Sequence, residues 1–142
     1  MTISTGSVAT STDQLQIHNA NGYLRLAAAA TLTLASDIIV PTQNYNKVAV
    51  QSSTTDTCLS ITATNVTEGF VLVLVPANTA HTITFTDTAS PAAGTLSLNG
   101  DFVMTGSDCI LTLIYNGTNW VELSRTPNMS TGKVIALTMI FA

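Results

Sequence analysis

Charge is scarce in this chain. Asp, Glu, Lys and Arg make up 8% of its 142 residues, against about 25% in an ordinary soluble domain. The four basic residues, Arg25, Lys47, Arg125 and Lys133, are scattered. No phosphate-binding footprint results, so nucleic acid is not an expected partner. Long apolar runs are also missing. The best candidates, Phe70–Val75 and the interrupted 134–142, fall short of the roughly 18–20 residues of a membrane helix, so no membrane partner is expected. The opening "MTISTGSVATSTDQ" has neither the basic start nor the apolar centre of a secretory signal. Two Cys and two His, far apart in sequence, give a structural zinc site no basis, and neither metal nor cofactor is expected. A Cys58–Cys109 disulfide stays an alternative to two small buried hydrophobes; the strand-like surroundings of both favour the buried reading.

The chain does have apolar residues, 46% in all, set among Thr, Ser and Asn. Thr is β-branched and suits a pleated, half-wet surface. Alternation with period two recurs, and helical periodicity does not. "HTITFT" (81–86) sets His81, Ile83 and Phe85 against three Thr, and "CLSITA" (58–63) sets Leu59, Ile61 and Ala63 against Cys58, Ser60 and Thr62. "TLTL" (31–34), "TLSL" (95–98), "YLRL" (23–26) and "KVAVQ" (47–51) also read as strands. Breaks fall between them at Asn21-Gly22, Pro41-Thr42, Glu68-Gly69, Pro76-Ala77-Asn78, Ser90-Pro91, Asn99-Gly100 and Asn116-Gly117. This rhythm predicts an all-β protein, an antiparallel β-sandwich or jelly-roll-like barrel. One domain is expected over residues 14–142, preceded by a flexible Ser/Thr-rich arm over residues 1–13. The tetra-alanine at 27–30 is too short to nucleate a helix and reads as a tight core crossing or a single turn.

Two stretches break the alternation. "FVLVLV" (70–75) and "CILTLIY" (109–115) are apolar on nearly every residue. The second leads into Asn116-Gly117 and then "TNWVELSR", which reads as a hairpin. A two-residue turn puts Leu111 and Leu113 on the face of Trp120 and Glu122, with Ile110 and Ile114 beside Val121 and Leu123. A Gly-bulged three-residue turn flips the second arm, so that Leu111, Leu113, Val121 and Leu123 share a face. That register gathers the aliphatics better and is the preferred one. In either register both faces of the first arm are apolar. A sandwich covers one of them, and a second copy of the chain can cover the other. The competing reading is two central strands of a thick monomer. Phe70, Leu72, Leu74, Ile110, Ile114 and Trp120 are the candidate inter-subunit contacts, with Trp120 weighed equally as a core residue.

Catalytic patterns are weak. Ser60, His81 and Asp87 supply the residue types of a triad, but no Gly-x-Ser-x-Gly elbow accompanies them. His81 sits on the apolar side of an alternating strand and reads as a hydrogen-bonded core or interface residue. The acids stand mostly beside turns, where they cap backbone, and form no glycosidase pair. Asp101 and Asp108 bracket a short strand without a calcium-loop pattern. No catalytic residue is expected, and the chain reads as a non-enzyme.

The segment "ILTLIYNGTNWVELSR" resembles an ending common to many bacteriophage virion proteins: an aliphatic strand, Tyr-(Asn/Asp)-Gly-Thr-x-Trp, then Glu-x-Ser-Arg. These include capsid decoration proteins and β-structured modules of tail fibres and tailspikes. The preceding "GTLSLNGDFVMTGSD" and the closing "MSTGKVIALTMIFA" are similar to segments of such proteins, so the resemblance covers about residues 94–142. It implies an all-β oligomer, often a trimer, without catalysis. The expected function is a trimeric decoration (cement) protein on the outer capsid surface of the virion, partnered by itself and the major capsid protein. The alternative is a tail-fibre or tip module that binds a host receptor. A chain with room for one domain and a short arm favours decoration. Thr2, Ile3, Ser4 and Thr5 are the candidate capsid-docking residues of the arm.

Overall fold

Alternating strands need partners, and here successive stretches of chain supply them by stacking on one another. The computed structural model describes residues 26–64 and 66–127, and every regular element among them is a strand. The strands are β1 (Ala30–Thr33), β2 (Ile38–Ile39), β3 (Tyr45–Ala49), β4 (Thr55–Cys58), β5 (Ser60–Ile61) and β6 (Val71–Pro76). They continue with β7 (Thr82–Phe85), β8 (Leu96–Ser97), β9 (Phe102–Thr105), β10 (Ile110–Tyr115) and β11 (Trp120–Thr126). The expected arm, residues 1–13, and most of the expected "YLRL" strand lie outside the described residues.

β1, β3 and β6 lie side by side in parallel, with Lys47 opposite Thr31 on one flank and Val75 on the other. In a second sheet β4 and β7 are parallel, Thr55 opposite Thr82. In a third, β2 and β5 are parallel, Ile38 opposite Ser60. The chain visits the sheets in turn and returns to each one strand further on. Parallel strands require long crossovers, and in this coil each crossover is made of strands belonging to the other sheets. The winding then reverses. β9 runs antiparallel to β7, β10 to β6 and β11 to β10, and β8 closes the large sheet in parallel with β11. The order of that sheet is β1-β3-β6-β10-β11-β8.

The all-β class therefore holds, but an antiparallel sandwich or jelly roll does not. Five of the eight strand pairings are parallel, and the arrangement is a short, solenoid-like coil. The physical reason is that alternation fixes which side of a strand is buried and leaves open which way its neighbour runs.

Inward residues of the three sheets meet in one core. The large sheet contributes Leu32, Val48, Leu72, Leu74, Leu111 and Leu113; the second contributes Cys58, Ile83, Phe85, Phe102 and Met104; the third contributes Ile39 and Ile61. Asn46 is buried among them. Its amide donates to the Gln43 carbonyl and its side-chain oxygen accepts from Thr42. The buried polar group is thereby satisfied.

Local departures have identifiable causes. Ser36 and Asp37 hold positive φ (51° and 64°) in a two-residue turn closed by reciprocal Ala35 and Ile38 backbone bonds of 3.0 and 3.1 Å. Such a turn accepts Asp because its short side chain tolerates the left-handed region. The Ser36-Asp37 pair was not among the turn signals read from the sequence. Ala27 and Ala28 are exposed and irregular, and Ala30 opens β1, so the tetra-alanine is neither a core crossing nor a helical turn. Leu59 points outward while Cys58 and Ile61 are buried. The chain turns a corner there between β4 and β5, and the expected alternation through "CLSITA" is broken.

Candidate interaction surface

The hairpin decides which side of the doubly apolar strands is free. Its connection has four residues, 116–119, and pairs Tyr115 with Trp120. The Asn116 side-chain oxygen accepts from the Thr118 and Asn119 amides at 3.0 and 2.9 Å, while Gly117 sits at φ 92°. Asn116 thus builds the turn with its own side chain. The preferred three-residue register is overturned. Near the turn, Leu113 shares a face with Glu122, and Ile114 shares one with Val121. A bulge at Leu123 then shifts the pairing, so that Thr112 meets Ser124 and Leu111 meets Arg125.

With this register, the inward file of β6 and β10 is Leu72, Leu74, Leu111 and Leu113, all fully buried. The outward file is Val71, Val73, Val75, Ile110, Thr112 and Ile114. Val71 and Ile110 are 36% and 39% exposed, and the others are half-buried by their neighbours on the sheet. Val121 extends the row of Val71 and Ile114, and Tyr45 stands beside Val73. Lys47, beside Val75, is the charged residue of this outer face.

The outer face of the second sheet has a different chemistry. Its outward file on β4 and β7 is Thr55, Thr57, Thr82 and Thr84, with Thr105 and Val103 on β9. The Thr82 hydroxyl lies 3.3 Å from that of Thr105. Val and Thr have nearly the same shape, so strand geometry is served equally by both.

The sequence candidates divide accordingly. Ile110 and Ile114 lie on the outer face. Leu72, Leu74 and Trp120 do not: each is fully buried within its own chain. They stand on the expected strands with the opposite facing, because both alternation sets of these strands are apolar. Phe70 is half-buried and packs edge-on against Trp120, with ring centroids 6.2 Å apart. Sequence reasoning missed Val71, Val73, Val75 and Val121. A signal was present, since β6 places Leu inward and β-branched residues outward. The arm residues Thr2, Ile3, Ser4 and Thr5 lie outside the described residues.

Trp120 anchors a polar seam beneath this surface. Its indole N–H donates to the Ile61 carbonyl at 2.9 Å, and its backbone N–H to Thr95. Ile61 in turn donates to the Gly94 carbonyl, and the Gly94 amide to Thr118. A Cβ on Gly94 would stand 2.9 Å from the Ile61 oxygen. At the other end of β11, Arg125 bonds Glu122 and donates to the Gly100 and Asp101 carbonyls at 2.8 and 3.2 Å. It also lies over the Phe102 ring, 5.3 Å from its centroid. Glu122 accepts the Asn99 amide at 2.9 Å. The Arg125 hydrogen bond holds the Glu122 carboxyl below the usual carboxylate range, and the same contact raises the Arg125 guanidinium.

The remaining chemical groups are committed locally. His81 contacts the Asn78 side chain at 3.3 Å, and Asp87 accepts the Leu98 amide at 2.8 Å. No hydrogen bond joins either to Ser60. Asp101 accepts the Asp87 amide, and Asp108 bonds Ser107. Among the described residues no group of three or more His, Cys, Asp or Glu could hold a metal. Cys58 and Cys109 are both buried and free. Burial pushes the Cys58 thiol up to about 12, which leaves it unreactive at neutral pH. Comparison with models of known families finds no match to the chain, and no curated protein matches it.

Proposed function

We propose that the chain is a non-catalytic structural module of a bacteriophage virion, and specifically a trimeric decoration protein that reinforces the capsid from its outer surface. The observation that carries this reading is the use made of the motif resembling virion proteins. Tyr115 and Trp120 pack at a tilt with ring centroids 5.2 Å apart, Asn116 builds the turn, Trp120 ties β11 to Ile61, and Glu122 with Arg125 clamps the 99–101 loop. The motif's polar and aromatic groups are occupied in holding one strand to the rest of the coil. A pattern of that kind suits a module whose work is to be rigid. In this proposal residues 1–13 dock on the major capsid protein.

The tail-fibre reading draws support from a separate observation, the coiled stacking of β1, β3 and β6. Coils of this kind extend along an axis by adding turns. Copy number in purified particles separates the two. Hundreds of copies per head support decoration. A few copies at the tail overturn decoration in favour of the fibre. Deleting residues 1–13 should weaken binding to expanded capsids while leaving the fold intact, and unchanged binding removes the arm from the proposal.

A further inference from the structure

We propose that Asn99-Gly100 is a site of spontaneous covalent modification, at which the Asn99 side chain closes on the Gly100 nitrogen and opens again to aspartate and isoaspartate. The reaction needs only water and the chain's own atoms. The Gly100 nitrogen gives its proton to solvent base and attacks the Asn99 amide carbon. An N–Cγ bond forms, the Cγ–Nδ2 bond breaks, and ammonia leaves with a proton taken from solvent. Water then opens the five-membered imide. Opening at Cγ restores the main chain with an aspartate at position 99. Opening at the backbone carbonyl leaves the main chain running through Cγ, as isoaspartate.

The same dipeptide stands twice among the described residues, and the two copies are held differently. Asn99, Gly100, Asn116 and Gly117 are all exposed. Gly100 and Gly117 both hold positive φ, 76° and 92°, and among the described residues neither glycine amide has an acceptor. Asn116 is pinned. Its side-chain oxygen accepts the Thr118 and Asn119 amides at 3.0 and 2.9 Å, and its Nδ2 donates to the Asn119 Oδ1 at 2.9 Å. Asn119 is itself buried, so the anchor does not move with the turn. Bringing the Asn116 amide carbon onto the Gly117 nitrogen breaks these bonds. Asn99 is bound through its backbone amide, which donates to Glu122 at 2.9 Å. No hydrogen bond among the described residues engages its side chain, which is free to rotate onto Gly100. Access differs in the same sense. A Cβ on Gly117 would meet Glu68 Oε2 at 3.7 Å, whereas one on Gly100 would meet nothing within 4 Å.

The modification falls inside a closed circuit. The Asn99 amide reaches Glu122, Glu122 bonds Arg125, and Arg125 donates to the Gly100 carbonyl at 2.8 Å. Isoaspartate inserts one more carbon into the main chain between the two ends of that circuit, so Glu122 and Arg125 no longer reach both. Either product adds a negative charge to a loop that already carries Asp101 and contacts Glu122.

The test follows the wild-type chain at pH 8 and 37 °C, native and in urea, by peptide mass spectrometry with fragmentation that separates aspartate from isoaspartate. Asn21-Gly22, outside the described residues, is resolved separately in the same map. In the native chain Asn99 should convert at least about 10-fold faster than Asn116. A tenfold ratio is about 1.4 kcal/mol of barrier, little more than the net worth of one hydrogen bond, and three hold the Asn116 side chain. In urea, where that hold is gone, the two rates should converge. Equal native rates, a faster Asn116, or a native Asn99 that stays intact while the urea sample reacts would each overturn the proposal. A preference for Asn99 that persists unchanged in urea would belong to the neighbouring residues and overturn the structural argument. The converted chain, separated by ion exchange, should unfold at a lower urea midpoint than the fresh chain, and an unchanged midpoint overturns the link to the Glu122–Arg125 circuit.

Discussion

Trp120→Phe isolates the one side-chain hydrogen bond that joins β11 to the third sheet. In the native chain the indole N–H reaches the Ile61 carbonyl at 2.9 Å, and both residues are fully buried. Phe keeps the ring and loses the donor. Ile61 is then left with a buried, unpaired oxygen, which costs about 1–3 kcal/mol. The smaller ring also vacates roughly 40 Å³, worth about 1 kcal/mol at the usual cavity coefficient. The Tyr115 and Phe70 rings that flank Trp120 lose part of their packing as well. The sum is about 3 kcal/mol, a large share of the roughly 5–15 kcal/mol that holds a domain of this size together. Urea denaturation followed by circular dichroism, at fixed protein concentration, reads it directly. The expected result is a lower midpoint with an unchanged slope. A loss under about 0.5 kcal/mol would refute the reasoning, because it would mean that the Ile61 carbonyl finds a replacement donor and that the seam is not dry.

Three further outcomes follow from single contacts. Gly94→Ala should destabilise by about 2–4 kcal/mol: Gly94 holds φ 76°, and the new methyl would press on the Ile61 oxygen at 2.9 Å; a change below 1 kcal/mol in the same denaturation assay would mean that the backbone relaxes freely there. The Arg125 hydrogen bond holds the Glu122 carboxyl below the usual carboxylate range, so its stabilising share is complete above that range and fades as pH falls through the lowered value. Glu122→Gln should remove that share of the acid dependence, and an unaltered pH–stability profile of the variant would dismiss the clamp. Cys58, pushed up to about 12 and buried, should resist a maleimide at pH 7 in the native chain and react on denaturation; rapid native labelling of Cys58, read by mass spectrometry, contradicts its placement.

Much of the strand map was legible because a single apolar file leaves a strand no choice. Leu32 and Leu34, Val48 and Val50, and Ile83 and Phe85 alternate with Thr33, Ala49 and Thr84, and each pair is buried as the alternation requires. The direction of pairing was not legible. β1 beside β3 and β4 beside β7 are parallel because of where the intervening chain travels, and no local pattern records that path. The inward side of β6 and β10 was hidden for a different reason: both files are apolar, so period two carries no contrast there. A finer sorting does carry it. Leu, flexible and γ-branched, takes the four buried positions, and Val and Ile take most of the outward ones. Asn-Gly by itself signals a two- or three-residue connection, and the hairpin register differs from both. Asn116 instead closes four residues through its own side chain, and the bulge at Leu123 has no signature in the apolar pattern.

Outward methyls on the large sheet add to the stability of the chain itself through cross-strand contacts on that face. An apolar side chain that is half exposed when folded is also exposed when unfolded, so folding recovers only part of its transfer free energy, about 25 cal/mol for each Å² removed from water. Thr at the same positions keeps the β-branched shape but exchanges a methyl for a hydroxyl, which gives up part of that gain and leaves the surface wettable, as at Thr55, Thr57, Thr82 and Thr84 of the second sheet. Two consequences are separable. The inward Leu file, fully buried, governs whether the chain folds, and the half-buried outward Val and Ile file adds a smaller share. Leu72→Ala or Leu111→Ala should then cost about 2–5 kcal/mol in urea denaturation, while Val71→Thr or Ile114→Thr should cost clearly less, and equal losses on the two faces would refute the division. That division makes the two faces of one strand independently testable.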